Sequence, residues 1–376
     1  MEISLNEFKK LNLIECQLTD IRSESSFEYG SIDGAENNPS SDFDQSRLDK
    51  NKKIILYCKD GNLSRSLAEK LCCDGFDAYS LKGGYMGWLR DKIELEDKDA
   101  LILERAEKSI RKKFHKDIFT KFARAINEFG LVSENDKIAV CISGGKDSML
   151  MAKLFQELKR HNKFDFELVF LVMDPGYSKE NREIIEHNAK ILNIPITIFQ
   201  STIFDSVFNI EKSPCYICAR MRRGYLYSKA KELGCNKIAL GHHYDDVIET
   251  ILMGMLYSGQ IQTMMPKLKS TNFEGMELIR PMYEIREGDI KRWRDYNDLH
   301  FIQCACKFTE MCANEACLTP ERTSSKRLET KRIIENLKKT NPFIESNIFK
   351  SVQNVNLETV IEYKDKDGRH SFLDNY

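Results

Sequence analysis

Lys137-Ile138-Ala139-Val140-Cys141-Ile142-Ser143-Gly144-Gly145-Lys146-Asp147-Ser148 carries three structural signals in succession. Ile138 to Ile142 is apolar and rich in β-branched residues, long enough for a buried strand and too short for a helix. The run breaks at Ser143-Gly144-Gly145, after which Met149, Leu150, Leu154, Phe155 and Leu158 recur at helical spacing. Strand, glycine turn and helix start bring bare backbone N–H groups and the positive end of a helix dipole to one point. Such a point suits an anion, most naturally a phosphate. Gly144 and Gly145 let the backbone close on its oxygens, and Ser143, Lys146 and Ser148 add donors. The common spacing G-x-x-x-x-G-K-[ST] is absent.

Downstream, strand-like and helix-like runs alternate. Residues 166–173, 195–199 and 237–240 read as strands; 180–192, 220–233 and 246–256 have helical spacing. This alternation predicts an α/β fold with a doubly wound parallel sheet, whose ligands bind beyond the carboxyl ends of the strands. Asp174 follows one strand, and Gly241-His242-His243-Tyr244-Asp245-Asp246 follows another. Asp245 and Asp246 open a helix, where carboxylates act as caps. Two carboxylates beside a triphosphate also suit Mg2+ coordination or proton handling. His242 and His243 read as structural residues or as ligands. Pro214-Cys215-Tyr216-Ile217-Cys218 is expected to precede the helix beginning Ala219-Arg220-Met221-Arg222-Arg223. Cysteines at i and i+3 can face one metal; the pair reads as a zinc site, a redox pair or half of an iron–sulfur site. Arg220, Arg222 and Arg223 suit nucleic-acid phosphates or a solvated helix face.

Upstream, residues 53–57 form a strand-like run into Cys58-Lys59-Asp60-Gly61-Asn62-Leu63-Ser64, followed by Leu67, Ala68, Leu71 and Cys72 at helical spacing. A cysteine between a strand end and a helix start sits in a field that favours thiolate, and the loop N–H groups can cradle a terminal sulfur anion. A buried packing cysteine is the alternative. Residues 91–99 are densely charged and read as a linker; 100–129 have helical periodicity with clustered bases, which suit RNA or a solvated face equally.

Composition sets outer bounds. At 376 residues, 41% hydrophobic and 31% charged, the chain has the mass for two or three domains with real cores. No apolar run approaches the length of a membrane span, and Met1-Glu2-Ile3-Ser4-Leu5 lacks a signal-peptide pattern, so a cytoplasmic protein with no membrane partner is expected. The formal charge of -1 hides an acidic front: the first 100 residues hold 14 Lys+Arg against 20 Asp+Glu, leaving the remainder net basic. Twelve cysteines without a secretion signal point to metal or redox chemistry rather than disulfides.

Several of these motifs resemble known families. Ser143-Gly144-Gly145-Lys146-Asp147-Ser148 resembles the PP-loop of ATP pyrophosphatases, which cut ATP between its α and β phosphates and move AMP onto a carbonyl oxygen. Asp20-Ile21-Arg22, Glu28-Tyr29-Gly30, Gly34-Ala35-Glu36-Asn37 and Leu81-Lys82-Gly83-Gly84-Tyr85-Met86-Gly87-Trp88 resemble a rhodanese domain, in which the loop cysteine carries a persulfide. That makes Cys58 the sulfur carrier. The related phosphatase loop has C-x5-R; here Ser64 holds that place and Arg65 comes one residue late, which favours sulfur over phosphate.

Pro214-Cys215-x-x-Cys218 with Arg222-Arg223-Gly224 and Tyr227, Gly241-His242-His243 with Asp245-Asp246 and Glu249-Thr250, Met265-Pro266-Lys267-Leu268, Ile279-Arg280-Pro281, and Phe349 with Gln353-Asn354-Val355 are together similar to tRNA 2-thiocytidine synthetases of the TtcA type. The similarity runs over roughly residues 100 to 360. It implies residues 1–95 as a rhodanese-like sulfur carrier, 96–130 as a charged linker and basic helix, and 131–376 as a PP-loop domain with a cysteine-rich segment at 304–317. It further implies ATP, Mg2+ and a [4Fe-4S] cluster held by Cys215, Cys218 and Cys304. Gln303-Cys304-Ala305-Cys306 departs from the family's P-C-x-x-C, so Cys306 stays open as the third ligand; Cys312 and Cys317 are extra, and suit a separate metal site with Cys306. On this resemblance Ser143, Gly144, Gly145, Lys146, Asp147, Ser148, Asp174, Gly241 and Asp245 bind the nucleotide and its metal, and Cys58, Lys146 and Asp246 are catalytic. The implied reaction adenylates the C2 oxygen of an anticodon-loop cytidine, position 32 by resemblance, and replaces it with sulfur. The implied partners are tRNA and an upstream persulfide donor such as a cysteine desulfurase, with a homodimer left open. A cluster-free thiolase, in which Cys215 accepts sulfur and Cys304 or Cys218 resolves it as a disulfide, acting on another tRNA base or a small metabolite, is the alternative; a sulfur or metal carrier without ATP chemistry fits the PP-loop least.

Overall fold

The computed structural model describes residues 1–12, 15–94, 99–161, 164–201, 214–302 and 326–376. Two sheets organise them. The first contains β1 (Glu2–Ile3), β2 (Cys16–Asp20), β3 (Ala35–Asn37), β4 (Lys53–Tyr57) and β5 (Ala78–Leu81), all parallel, in the order β1-β5-β4-β2-β3. Both faces are covered, which is why β4 is continuously apolar after Lys53 rather than alternating. Ile54 and Leu56 pack with Ala68 and Leu71 of helix Asn62–Cys73, while Ile55 and Tyr57 pack with Ile3, Phe8 and Leu81 on the other side.

The second sheet contains β6 (Lys137–Ile142), β7 (Glu167–Asp174), β8 (Ile196–Gln200), β9 (Lys237–Ala239), β10 (Lys267–Lys269) and β11 (Glu277–Ile279). Its order is β10-β11-β9-β6-β7-β8, parallel apart from the antiparallel edge strand β10. Along β6, Ile138, Val140 and Ile142 enter one core and Ala139 and Cys141 the other, so both faces are again buried. From β6 the chain turns first toward β7 and β8, then returns to place β9 on the opposite side. The turn after β6 therefore stands at the point where strand order reverses, the position at which open α/β sheets bind ligands.

Several boundaries depart from the sequence reading. Helix Pro214–Glu232 starts five residues earlier than the expected Ala219, because Pro214 sits at its first position, where a missing N–H costs nothing. Residues 215 and 218 are thus within the helix rather than before it. Helix Tyr244–Ser258 starts at Tyr244, so His243 holds the N-cap position and Asp246, in the first turn, completes the capping box. Helices Asp99–Arg111 and Thr120–Glu128 send Ala106, Ile110, Phe122 and Ile126 into the core shared with β6 and Phe155. Three of the bases in this region are in ion pairs: Arg111 with Glu107 and Glu157, Lys121 with Asp289, Arg124 with Glu284.

The two sheets meet through helix Gly84–Glu94, whose Tyr85, Met86 and Trp88 pack against the second core. Trp88 meets His300 edge-on at 6.2 Å. Among the described residues no helix is long and apolar enough to cross a membrane.

Candidate nucleotide and sulfur sites

Between β6 and helix Lys146–Arg160, Gly144 adopts φ +83. A Cβ there would lie 2.6 Å from Ile185 Cγ1 and 2.7 Å from Ile302 Cδ1, so the turn admits glycine alone. Ser143 N–H donates to Ser148 Oγ at 3.1 Å, and that hydroxyl donates to Gly145 O at 3.0 Å, tying the turn shut. Gly241 backs onto it: a Cβ would come 3.3 Å from Ser148 N. Asp174, at the end of β7, accepts the N–H groups of Gly176 and Tyr177 through Oδ1 at 2.8 and 2.7 Å.

Lys146 Nζ lies 3.0 Å from Asp147 Oδ2 and 3.2 Å from Glu287 Oε1. Burial works against its charge, but the two carboxylates more than offset this and hold the ammonium above its ordinary range. Burial likewise opposes the Glu287 carboxylate, yet Lys146, Lys331 and Lys291 keep it far below the usual range. Asp147 Oδ1 is different: it is buried without a hydrogen-bond partner among the described residues, and His243 Nε2 is 3.9 Å away. A bare carboxylate oxygen beside a phosphate cradle fits a divalent cation.

Asp245 and Asp246 already have partners. His243 caps helix Tyr244–Ser258 reciprocally: its Nδ1 accepts the Asp246 N–H at 3.4 Å, and Asp246 Oδ2 accepts the His243 N–H at 3.0 Å. Arg327 donates to Asp246 Oδ1 at 2.8 Å. Asp245 receives Arg286 Nη2 at 2.9 Å and the Glu287 N–H at 2.6 Å, which caps helix Glu287–Tyr296 and delivers Glu287 to Lys146. Burial pushes His242 down to about 4, so it is neutral near pH 7, where its Nδ1 accepts from Arg280 Nε at 3.3 Å.

Burial pushes Glu249 up to about 7, with Arg327 pulling the other way. Its folded-state pKa exceeds the ordinary carboxylate value of 4.5, so the folded protein binds the extra proton and stability falls as pH rises from there to about 7. Glu249→Gln is therefore expected to gain on the wild type between pH 5 and pH 8, by up to about 3 kcal/mol at 1.36 kcal/mol per unit. Chemical denaturation at both pH values measures this; a stability difference that does not change with pH contradicts it.

In the first sheet, Cys58 is buried at the end of β4. The N–H groups of Gly61 and Ser64 point at its Sγ, at 3.2 and 3.4 Å, and the Ser64 hydroxyl lies 3.4 Å away. This cradle suits a sulfur anion. Its floor is joined to the interdomain helix, where Tyr85 N–H donates to Cys58 O at 2.8 Å.

The cysteine pair is placed by topology. Helix Pro214–Glu232 leads into parallel β9, so it runs back across the sheet from the carboxyl edge. Its first turn, with residues 215 and 218, lies at the edge where the Ser143–Ser148 turn stands. The side chains of Cys215 and Cys218, and all of Cys304, Cys306, Cys312 and Cys317, lie outside the described residues. Sequence reasoning missed Glu287, Arg286 and Tyr29. Glu287 and Tyr29 reach Lys146 from more than a hundred residues away and Arg286 reaches Asp245 across the fold, and no local pattern assigns any of them to this site.

Residues 115–306 match the model of the PP-loop domain and residues 4–91 that of the rhodanese-like domain. A tRNA-cytidine(32) 2-sulfurtransferase of Syntrophotalea carbinolica is 34% identical over 249 residues, which are 65% of this chain and 91% of that protein. The chain belongs to the tRNA-cytidine(32) 2-sulfurtransferase family. Its counterpart in Anaeromyxobacter dehalogenans is 32% identical over 261 residues, 67% of this chain and 86% of the relative. The U34-tRNA thiolase NcsA of Methanococcus maripaludis, solved with its [4Fe-4S] cluster, shares the fold at a TM-score of 0.51 and 21% identity, covering 66% of this chain and 82% of its own. The two family models and the two sheets together give the expected architecture, a rhodanese-like α/β domain followed by a doubly wound PP-loop domain.

Proposed function

We propose that this 2-sulfurtransferase uses ATP to activate the C2 oxygen of a tRNA cytidine, at position 32, and replaces it with sulfur. The observation that carries the proposal is the glycine turn with Lys146 charged beside it and Asp147 Oδ1 left bare. The division of labour follows the three segments: 1–95 carries sulfur, and 131–376, with the helices of 96–130 packed into its core, activates the base.

The cytosine C2 oxygen is a poor leaving group. It attacks the α-phosphorus of ATP, the bond to the β-phosphate oxygen breaks, and pyrophosphate leaves. Negative charge grows on that pyrophosphate, where the Gly144–Gly145 backbone, the first N–H groups of helix Lys146–Arg160 and the Lys146 ammonium stabilise it. Asp147 would hold Mg2+, which would supply positive charge against the phosphates. Sulfur then attacks C2, and AMP departs with the original oxygen. Asp246, fixed by His243 and Arg327, borders this site, and Asp174 and Gly241 shape its walls.

The residues fit a cluster as far as they are placed: 215 and 218 sit one helical turn apart at the correct sheet edge. A [4Fe-4S] cluster on Cys215, Cys218 and Cys304 would supply a place for sulfide beside the activated base. Cys58 would deliver sulfur as a persulfide accepted from an upstream donor, and two equivalents of an external thiol would reduce its outer sulfur to hydrosulfide, leaving Cys58 as a thiol and the external thiol as a disulfide. The contacts Cys58–Tyr85, Tyr85–Trp88 and Trp88–His300 join its loop to the chain entering the cysteine-rich segment.

Pyrophosphate release that requires tRNA tests the activation step; release indifferent to tRNA contradicts it. Cys58→Ala is expected to lower persulfide-driven thiolation by about 10²-fold or more while free sulfide still supports it. Equal loss with both donors would remove Cys58 from the relay. Anaerobic purification should yield a brown protein with about four irons; a colourless, active one would favour covalent sulfur transfer through Cys215.

A further inference from the structure

Tyr29 belongs to the rhodanese-like domain, where it ends helix Glu24–Tyr29, yet its side chain stands at the PP-loop. Its hydroxyl donates to Ile302 O at 2.8 Å. Lys146 Nζ is 5.6 Å from its ring centre, and a Cβ on Gly145 would lie 3.8 Å from its oxygen. Helix Glu287–Tyr296 holds it from behind: Arg294 Nη1 donates to Tyr29 O, with its guanidinium 5.6 Å from the ring centre. The same helix supplies Glu287 to Lys146. Ile302 is in turn pressed against the glycine turn, its Cδ1 within 2.7 Å of where a Gly144 Cβ would stand. Tyr29 therefore clamps the last described residue before Cys304 onto the phosphate cradle. Burial pushes its phenol up to about 12, so it remains a donor at neutral pH.

We propose that Tyr29 is a positioning residue of the nucleotide site, supplied in cis by the rhodanese-like domain: it walls the phosphate cradle and holds the Ile302 carbonyl against the Gly144–Gly145 turn. The proposal rests on the reading of that turn as an ATP site. The front domain is then part of the ATP site as well as a sulfur donor. A defect at Tyr29 should appear in nucleotide binding, before any sulfur moves.

The test is ATP affinity of the full-length protein by equilibrium dialysis with Mg2+, without tRNA or sulfur donor. Tyr29→Phe removes the hydrogen bond and keeps the ring; it should weaken ATP about threefold. Tyr29→Ala removes both and should weaken it about tenfold or more. Glu24→Gln breaks only the surface pair with Arg332, 3.6 Å long, and should leave affinity at the wild-type value. Thermal melting of each variant reports folding separately, and the Phe variant keeps the test open if the Ala variant is unstable. Affinities in both Tyr29 variants equal to or tighter than wild type overturn the proposal, as does an equal loss in Glu24→Gln, which would make the effect one of general docking. Wild-type protein that binds no ATP overturns both this proposal and the ATP-site reading; wild-type binding with unaffected variants overturns this proposal alone.

Discussion

Gly144→Ala is expected to remove ATP-dependent thiolation and to destabilise the protein. The new Cβ would have to share space with Ile185 Cγ1 at 2.6 Å and Ile302 Cδ1 at 2.7 Å, in a backbone conformation, φ +83, that L-residues rarely adopt. Overpacking a dense core costs about 1–3 kcal/mol, and left-handed backbone for a residue with a side chain adds about 1–2 kcal/mol. Neither neighbour is free to retreat: Ile185 belongs to the main core, and the Ile302 backbone is held by Tyr29. The turn itself must yield, and a displacement of about 1 Å in a positioning element is enough to cost about 10²-fold in rate. Urea denaturation and tRNA-dependent pyrophosphate release measure the two effects. Activity within about tenfold of wild type would show that the turn does not cradle the phosphates.

Lys146→Met should be comparably severe for a different reason. The ammonium separates Asp147 from Glu287 and is the one cation placed against the turn on its own helix. Without it, charge developing on pyrophosphate loses its stabiliser, for which a loss of about 10²–10³-fold is usual. Stability should also fall, by less than the roughly 3–5 kcal/mol of a fully broken buried pair, because Lys331 and Lys291 still face Glu287. The sign with pH is specific. In the wild type the Glu287 carboxyl lies below its ordinary range, so its contribution is present at neutral pH and is lost only in acid. In the variant that depression shrinks, so the penalty should be level between pH 8 and pH 5 and diminish only below the ordinary carboxylate value of 4.5. A penalty that grows on acidification would contradict the electrostatic account.

How far the sequence could be read follows from where each signal resides. β6, the glycine turn and helix Lys146–Arg160 were legible because strand, breaker and helix periodicity are local properties of one short run. The parallel sheet was legible from alternation, since strands buried on both faces, such as β4 and β6, are apolar without a break. The helix at Pro214 begins earlier than expected because proline is as compatible with a first helical position as with the loop before it. Of the two carboxylates at 245 and 246, Asp246 does share in capping the helix, but the N-cap position itself falls to a histidine, which no propensity rule favours. Glu287, Arg286 and Tyr29 were illegible on principle: their importance comes from what they meet in space. An Asp147 oxygen without a partner is likewise a property of the fold, invisible in the residue's name.

The most direct test of the whole account is mass spectrometry of tRNA nucleosides after incubating the full-length, anaerobically prepared protein with tRNA, ATP, Mg2+ and a sulfur donor. The account predicts 2-thiocytidine at position 32, formed only when ATP is present and accompanied by about one pyrophosphate for each sulfur incorporated. Sulfur incorporated without ATP, or ATP cleaved while the tRNA nucleosides stay unchanged, would contradict it.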